Sequence, residues 1–189
     1  MSTRSARPAR DRLLLAAREL FATQGINATG IDQIIERAGV AKASLYNNFS
    51  GKDGLVAAYL DGERERFRSQ IAQLRAACRA PGVVLEFFGL MESAAKKRNF
   101  AGCPFSKAAV EVDPSSLAGR SIRAFYDELG NFFATSLTCE RRDPRVRQLI
   151  VLYDGAMTSA KILRDAASVN AATALVEAIT GATKSERQR

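Results

Sequence analysis

One short run of the chain combines the side-chain types that hold nucleic acid. From Lys42 to Lys52 it reads KASLYNNFSGK. Wound as a helix, this run puts Leu45 and Phe49, four apart, on one side. Ala43, Tyr46 and Asn47 share the opposite side, flanked by Lys42 and Asn48. An amide can pair bidentately with adenine, a small side chain lets the backbone approach a base edge, and hydroxyl and ammonium groups suit phosphate oxygens. Ala43 and Asn47 are therefore candidate base contacts. Lys42, Tyr46, Asn48 and Lys52 are candidate phosphate contacts, while Leu45 and Phe49 belong to a core.

Other chemistries have less to work with. The chain has no His, which excludes Ser-His-Asp triads, Cys-His dyads and metal sites that need imidazole. It offers no phosphate-cradling glycine loop and no carboxylate pairing, so no enzyme activity, cofactor or metal is expected. Three cysteines, at 78, 103 and 139, lack C-x-x-C spacing, which fits reduced thiols in a cytoplasm. Cys103, between Gly102 and Pro104, opens a short predicted helix, and a helix start can lower a thiol pKa. A redox or electrophile sensor acting through Cys103 is thus an alternative reading; the plainer one is a small buried hydrophobe.

The elements that must position the Lys42–Lys52 run are helical throughout. Leu13, Leu14, Ala17, Leu20 and Phe21 mark the stripe of a helix from about Ala9 to Thr23. Ile31, Ile34, Ile35 and Ala38 mark a second helix, ended by Gly39. Thr29 with Asp32 three residues on reads as its capping box, with Gly30 as an alternative N-cap. Two short helices joined by a glycine turn form a helix-turn-helix. A long helix from Lys52 to about Arg79 leaves this region, and Pro81-Gly82 breaks it. Val83–Ala95 is apolar nearly all round, as a central core helix is. A short helix over Phe105–Val112 follows. Asp113-Pro114 and Asp143-Pro144 then open two helices with continuous apolar stripes, and a last helix covers about Asn170–Thr180. No stretch alternates with period two, so the fold class is all-α.

These residues resemble a known family. Ala16-Ala17, Leu20-Phe21, Gly25, Thr29, Ile34, Ala38-Gly39-Val40, Lys42, Ser44-Leu45-Tyr46, Phe49 and Lys52 match the DNA-binding domain of TetR-family transcriptional regulators. The resemblance implies a three-helix DNA-binding domain over residues 1–52 and a helical ligand-binding and dimerisation domain over 53–189. It adds Thr29 and Ser44 to the DNA-contacting set. It also implies a pocket between helices for a small-molecule effector, for which Phe88, Met91, Cys103, Phe105, Tyr126 and Tyr153 are the candidates. The expected partners are a palindromic double-stranded operator and a second copy of the chain, and the expected function is ligand-relieved repression. Two positions depart from the family. Ala41 stands where Ser or Thr is usual, removing an N-cap hydroxyl that contributes about 1 kcal/mol in a typical helix. Asn48 stands where His or Tyr is frequent.

Charge and length agree with this division. The formal charge is +8 over 189 residues, and 47% of the residues are apolar. Residues 1–54 carry eight cations against five anions, whereas residues 81–140 carry six against seven. The N-terminal end is thus the basic one. Arg4, Arg7 and Arg10 lie in a polar arm over residues 1–10 that suits general phosphate attraction, and the chain ends in a charged KSERQR tail. No apolar run is long enough for a membrane span. Gly155, Ala156, Ser159 and Ala160 are small residues at close helical spacing. They place a dimer contact on the 144–164 helix, beside the 116–137 helix.

Overall fold

The computed structural model describes residues 7–182. Arg4 and the KSERQR tail lie outside the described residues. Within them the elements are all helical: α1 (Ala9–Gln24), α2 (Ile31–Ala38), α3 (Lys42–Asn48), α4 (Lys52–Ala77), α5 (Gly82–Ala95), α6 (Pro104–Ala109), α7 (Leu117–Ser136), α8 (Pro144–Leu163) and α9 (Ala167–Thr180).

Packing divides the chain into two compact units. One gathers the residues up to Arg64 with Pro104–Ala124, and the other gathers Glu65–Cys103 with Phe125 onward. The boundary expected after residue 52 is therefore not the packing boundary. The first turns of α4 stay with the helix-turn-helix because Leu55, Val56, Tyr59 and Leu60 are buried there, and Tyr59 meets Phe21 edge-on at 5.4 Å.

In the first unit, Leu13, Ala17, Leu20, Phe21, Ile34, Leu45 and Phe49 form the shared core predicted from their spacing, while Ile35, expected with them, is only half-buried. Gly39 ends α2 in the left-handed conformation (φ 62°), which a side chain would disfavour. Its carbonyl accepts from Arg12 Nη1 at 3.0 Å, so α1 holds the turn between α2 and α3. Gly30, not Thr29, is the N-cap of α2, and no side chain caps it. The predicted capping box does not form because the Thr29 hydroxyl is buried and donates to Gly25 O at 2.6 Å. Arg10 is not part of a free arm either: it lies in α1 with its guanidinium over the Phe49 ring.

The segment 104–124 is fastened to this unit at three points. Lys107 Nζ donates to Ala22 O at 2.9 Å, near the end of α1. Glu111 accepts from Asn27 N at 2.7 Å, while Asn27 Nδ2 donates to Glu111 O at 3.1 Å. Asp53, in the first turn of α4, accepts from Leu117 N and Ala118 N at 3.0 and 3.2 Å. That last pair places a carboxylate on the otherwise unpaired amides that open α7. Pro114 falls in the turn before α7 rather than inside its first turn, because Asp113 accepts from Ser115 N and folds the chain back locally.

The second unit is built around α5, which buries Val83, Val84, Leu85, Phe87, Phe88 and Met91. Phe87 is its centre. It stacks on Tyr153 at 5.8 Å and meets Phe67, Phe132 and Phe133 edge-on. α8 starts as its sequence predicts, with Pro144 in the first turn and Asp143 accepting from Arg145 N at 2.9 Å. Hydrogen bonds from Arg145 also hold the Asp143 carboxyl down to about 2. α9 packs along α8 and begins at Ala167, three residues earlier than its apolar spacing suggests, because Asp165 accepts from Ala167 N at 3.0 Å.

Candidate nucleic-acid interface

The three-helix arrangement presents α3 with Leu45 fully buried and Ala43, Tyr46 and Asn47 turned to solvent. Tyr46 is 54% exposed, so its ring is not committed to the core. Ser44 is half-buried, and Asn48 Nδ2 donates to Ser44 O at 2.7 Å, which fixes that amide along the helix. Lys42 extends to Asp32 on α2, with Nζ 3.0 Å from Oδ1. The hydrogen bond that Lys42 donates to Asp32 raises the Lys42 pKa, so the ammonium stays charged across the physiological range. Both groups are solvent-exposed, and a phosphate can replace Asp32 at little cost. Lys52 is half-buried at the first position of α4. Six of the eight predicted contacts, Lys42, Ala43, Tyr46, Asn47, Asn48 and Lys52, thus lie on or beside the outer side of α3. Ser44 is at its edge. Thr29 does not belong with them: it is 0% exposed and its hydroxyl is used within the chain.

The predicted effector residues fall into both units. Phe88, Met91, Cys103 and Tyr153 are buried in the second unit, and Tyr126 is half-buried there. Phe105 is buried in the first unit. Within the second unit two polar contacts sit among aromatic rings. Tyr153 Oη donates to Cys103 Sγ at 3.2 Å. Tyr126 Oη donates to Asp154 Oδ1 at 2.8 Å. Burial, and then the neighbouring carboxylate, push the Tyr126 pKa well up, so the phenol remains the donor. Burial also raises the Asp154 pKa, against the hydrogen bond from Tyr126, which favours the charged form.

Comparison with known proteins identifies this arrangement. The description "Bacterial regulatory proteins, tetR family" matches residues 13–59, which contain α1 from Leu13, all of α2 and α3, and the start of α4. The HTH-type transcriptional regulator LmrA of Bacillus subtilis is 38% identical over 80 residues, 42% of this chain and 43% of that protein. The HTH-type transcriptional activator FasR of Mycolicibacterium smegmatis is 42% identical over 64 residues, 34% of this chain and 29% of that protein. The chain thus spans less than half the length of these curated relatives. A solved TetR-family transcriptional regulator from Streptomyces coelicolor matches far more broadly: 92% of this chain and 94% of that one, at 30% identity and a TM-score of 0.85. The chain belongs to the TetR family of transcriptional regulators.

For a TetR-family chain, three residues carry more than their sequence context suggested. Asp154 was not among the candidates. The usable signal was its position, a single carboxylate inside the apolar run Leu149–Met157. Glu111 and Lys107 join α6 to the helix-turn-helix unit by contacts across more than eighty residues of sequence, a relation no local pattern contains. The thiol-sensor reading of Cys103 is not carried forward. The sulfur is 1% exposed and accepts from Tyr153, which is the environment of a packed small group rather than of an accessible thiolate.

Among the described residues, no group of His, Cys, Asp and Glu could hold a metal ion. Nor is any described helix long and apolar enough to cross a membrane.

Proposed function

We propose that this TetR-family chain is a ligand-responsive regulator that binds a palindromic operator as a homodimer, represses transcription there, and is released by a small molecule. The observation that carries the reading is the solvent-facing side of α3, where a small residue, a phenol and an amide stand between Lys42 and Lys52. Ala43 and Asn47 approach base edges, and Lys42, Tyr46, Asn48 and Lys52 hold phosphates, with Ser44 at the edge of the contact. FasR, one of the relatives, is described as an activator; measuring transcript levels with and without the gene decides the direction of control.

The test separates reading from holding. Asn47→Ala should relax preference at one base position, an effect of about 1–3 kcal/mol. Lys52→Ala should weaken specific and non-specific binding alike and reduce the salt dependence by about one phosphate contact. Binding isotherms on operator and scrambled duplexes at several salt concentrations measure both. Unchanged selectivity in Asn47→Ala would place the reading face elsewhere.

The effector site of this proposal lies in the second unit, beside the Tyr126–Asp154 pair, with Phe88, Met91, Cys103 and Tyr153 as its other groups. Phe105, in the first unit, is left out. A carboxylate set among rings suits a ligand with a hydrogen-bond donor or a positive charge on an apolar body. α4 and α7 each begin in the first unit and end in the second, and their first turns are joined by the Asp53 hydrogen bonds. Release then follows if the ligand prefers the arrangement in which segment 104–124 draws the helix-turn-helix out of register with the half-sites, which are spaced by about 34–36 Å. Glu111→Ala, which removes the carboxylate that accepts from Asn27 N and so weakens that fastening, should leave operator binding by the ligand-free protein nearly intact. It should also bring effector-induced release below tenfold, that is, below about 1.4 kcal/mol of coupling. Calorimetric titration of a candidate effector with and without operator reads that coupling in both proteins. Equal coupling in wild type and variant would remove Glu111 from the path.

A further inference from the structure

A second charged surface lies in the second unit, apart from anything the DNA-binding reading uses. The turn after α5 and the end of α8 form the walls of a cleft of about 560 Å³. Lys96, Lys97, Arg98, Lys161 and Arg164 line it, and Ala95, Phe100, Ala160 and Ala166 supply its apolar lining. Its one acidic lining residue, Asp165, accepts from the α9 amide of Ala167 and is engaged there. The walls are held by the chain itself. Lys161 Nζ donates to Phe100 O at 3.2 Å, and Gly102, at φ 81°, brings its backbone close to the Lys161 side chain and Met157 O.

Two helix C-termini meet here, and one or two cations would suffice to complement their partial negative charge. Five are present. Lys96 pairs with Glu92 at 2.7 Å, and Lys161 is bound to Phe100 O. Lys97, Arg98 and Arg164 form no ion pair among the described residues. Arg164 is also held in the left-handed conformation, at φ 57°, which non-glycine residues seldom adopt. The volume falls in the range of small-molecule sites, roughly 300–1,000 Å³. A concavity of that size suits a compact ligand better than a duplex backbone does. Arginine forks match phosphate oxygens bidentately.

We propose that this cleft binds a phosphate-bearing small molecule with at least two negative charges, its oxyanions held by Arg98, Arg164 and Lys97 and its body lying against Phe100. This site is independent of the operator-binding reading and of the effector site beside Asp154.

The test uses the full chain and calorimetry at about 0.15 M ionic strength, where diffuse attraction is screened beyond about 8 Å. Pyrophosphate and adenosine triphosphate are the probes, with citrate and an unrelated duplex as comparisons. The expected result is saturable binding of one probe molecule per chain. Arg98→Gln combined with Arg164→Gln should weaken it by at least about tenfold, the scale of one lost charge-assisted bond. Arg98→Gln alone should give an intermediate loss, and both proteins should keep the wild-type helical circular dichroism. Lys42→Ala with Lys52→Ala should leave probe binding unchanged. The proposal is overturned if binding does not saturate, or if the Lys42 and Lys52 changes abolish it. It is also overturned if citrate binds as tightly as pyrophosphate, or if the duplex binds the cleft in preference to either probe.

Discussion

Val151→Glu combined with Ile162→Glu is expected to give a folded monomer that no longer retains operator DNA. On α8 the positions Val151, Gly155, Thr158 and Ile162 recur at helical spacing and all face solvent. Val151 is 64% exposed and Ile162 70%. Leu163 is 62% exposed and Leu175, on the adjacent α9, is 55% exposed. Gly155 has open space where a side chain would point, so another backbone can come close to it. Several exposed large apolar residues on two packed helices mark an association surface. With a twofold copy it is expected to make a four-helix contact in which each apolar group meets itself or its neighbour. Placing carboxylates at both ends of the α8 stripe sets like charges against each other across the axis. Each protomer then meets its half-site as a separate event. Losing the linkage between half-sites removes an effective-concentration advantage of about 10²–10⁴. Sedimentation at micromolar concentration and operator gel shifts measure the two effects. A wild-type chain that sediments as a monomer, or a double variant that remains dimeric, would refute this assignment.

The same surface shows what the sequence could and could not reveal. Helix number, order and most boundaries were legible because apolar residues at i, i+3, i+4 and i+7 report burial directly. The caps that failed were those decided at a distance. Thr29 reads as a cap from three residues of context, yet its hydroxyl is taken by Gly25 once the α1–α2 loop closes. The solvent-facing side of α3 was legible because Leu45 and Phe49 fix which side is inward. The exposed apolar side of α8 was not, since α8 is apolar on two sides and small residues occur on both. Ala156 and Ala160, expected at the interface, are 4% and 1% exposed and belong to the chain's own core. α7, expected beside α8 in the contact, carries Arg120, Arg123, Asp127 and Asn131 on its exposed positions and buries its apolar stripe inward, whereas α9 exposes Leu175. Asp154 and Glu111 were invisible for a related reason. Their meaning lies in partners, Tyr126 and Asn27, that only the tertiary fold brings within hydrogen-bond reach.

Ala156→Glu should therefore behave unlike the Val151 and Ile162 changes, although all lie on one helix. Ala156 is packed on the inner side of α8, in the unit whose core also holds Val146, Leu149, Tyr153 and Met157. A glutamate there adds four heavy atoms beyond a methyl-sized space and brings a carboxylate into that core. Overpacking costs about 1–3 kcal/mol. Burying a charge without a partner costs several more, unless the group takes a proton instead. The sum approaches the whole stability of an ordinary domain, about 5–15 kcal/mol. The expected product is a protein that unfolds at much lower urea concentration than wild type, or collects in the insoluble fraction, rather than a soluble monomer. The pH dependence gives a second signature. A buried glutamate has its folded pKa raised above its unfolded value, so its penalty is complete above the folded pKa and shrinks as pH falls toward the unfolded value of about 4.3. Urea midpoints at pH 7.5 and pH 5, taken as about 3 units and less than 1 unit above that value, should converge on wild type only at the lower pH. Ala156→Glu that remains as stable as wild type yet sediments as a monomer would return this residue to the interface and reverse the inner and outer faces assigned to α8.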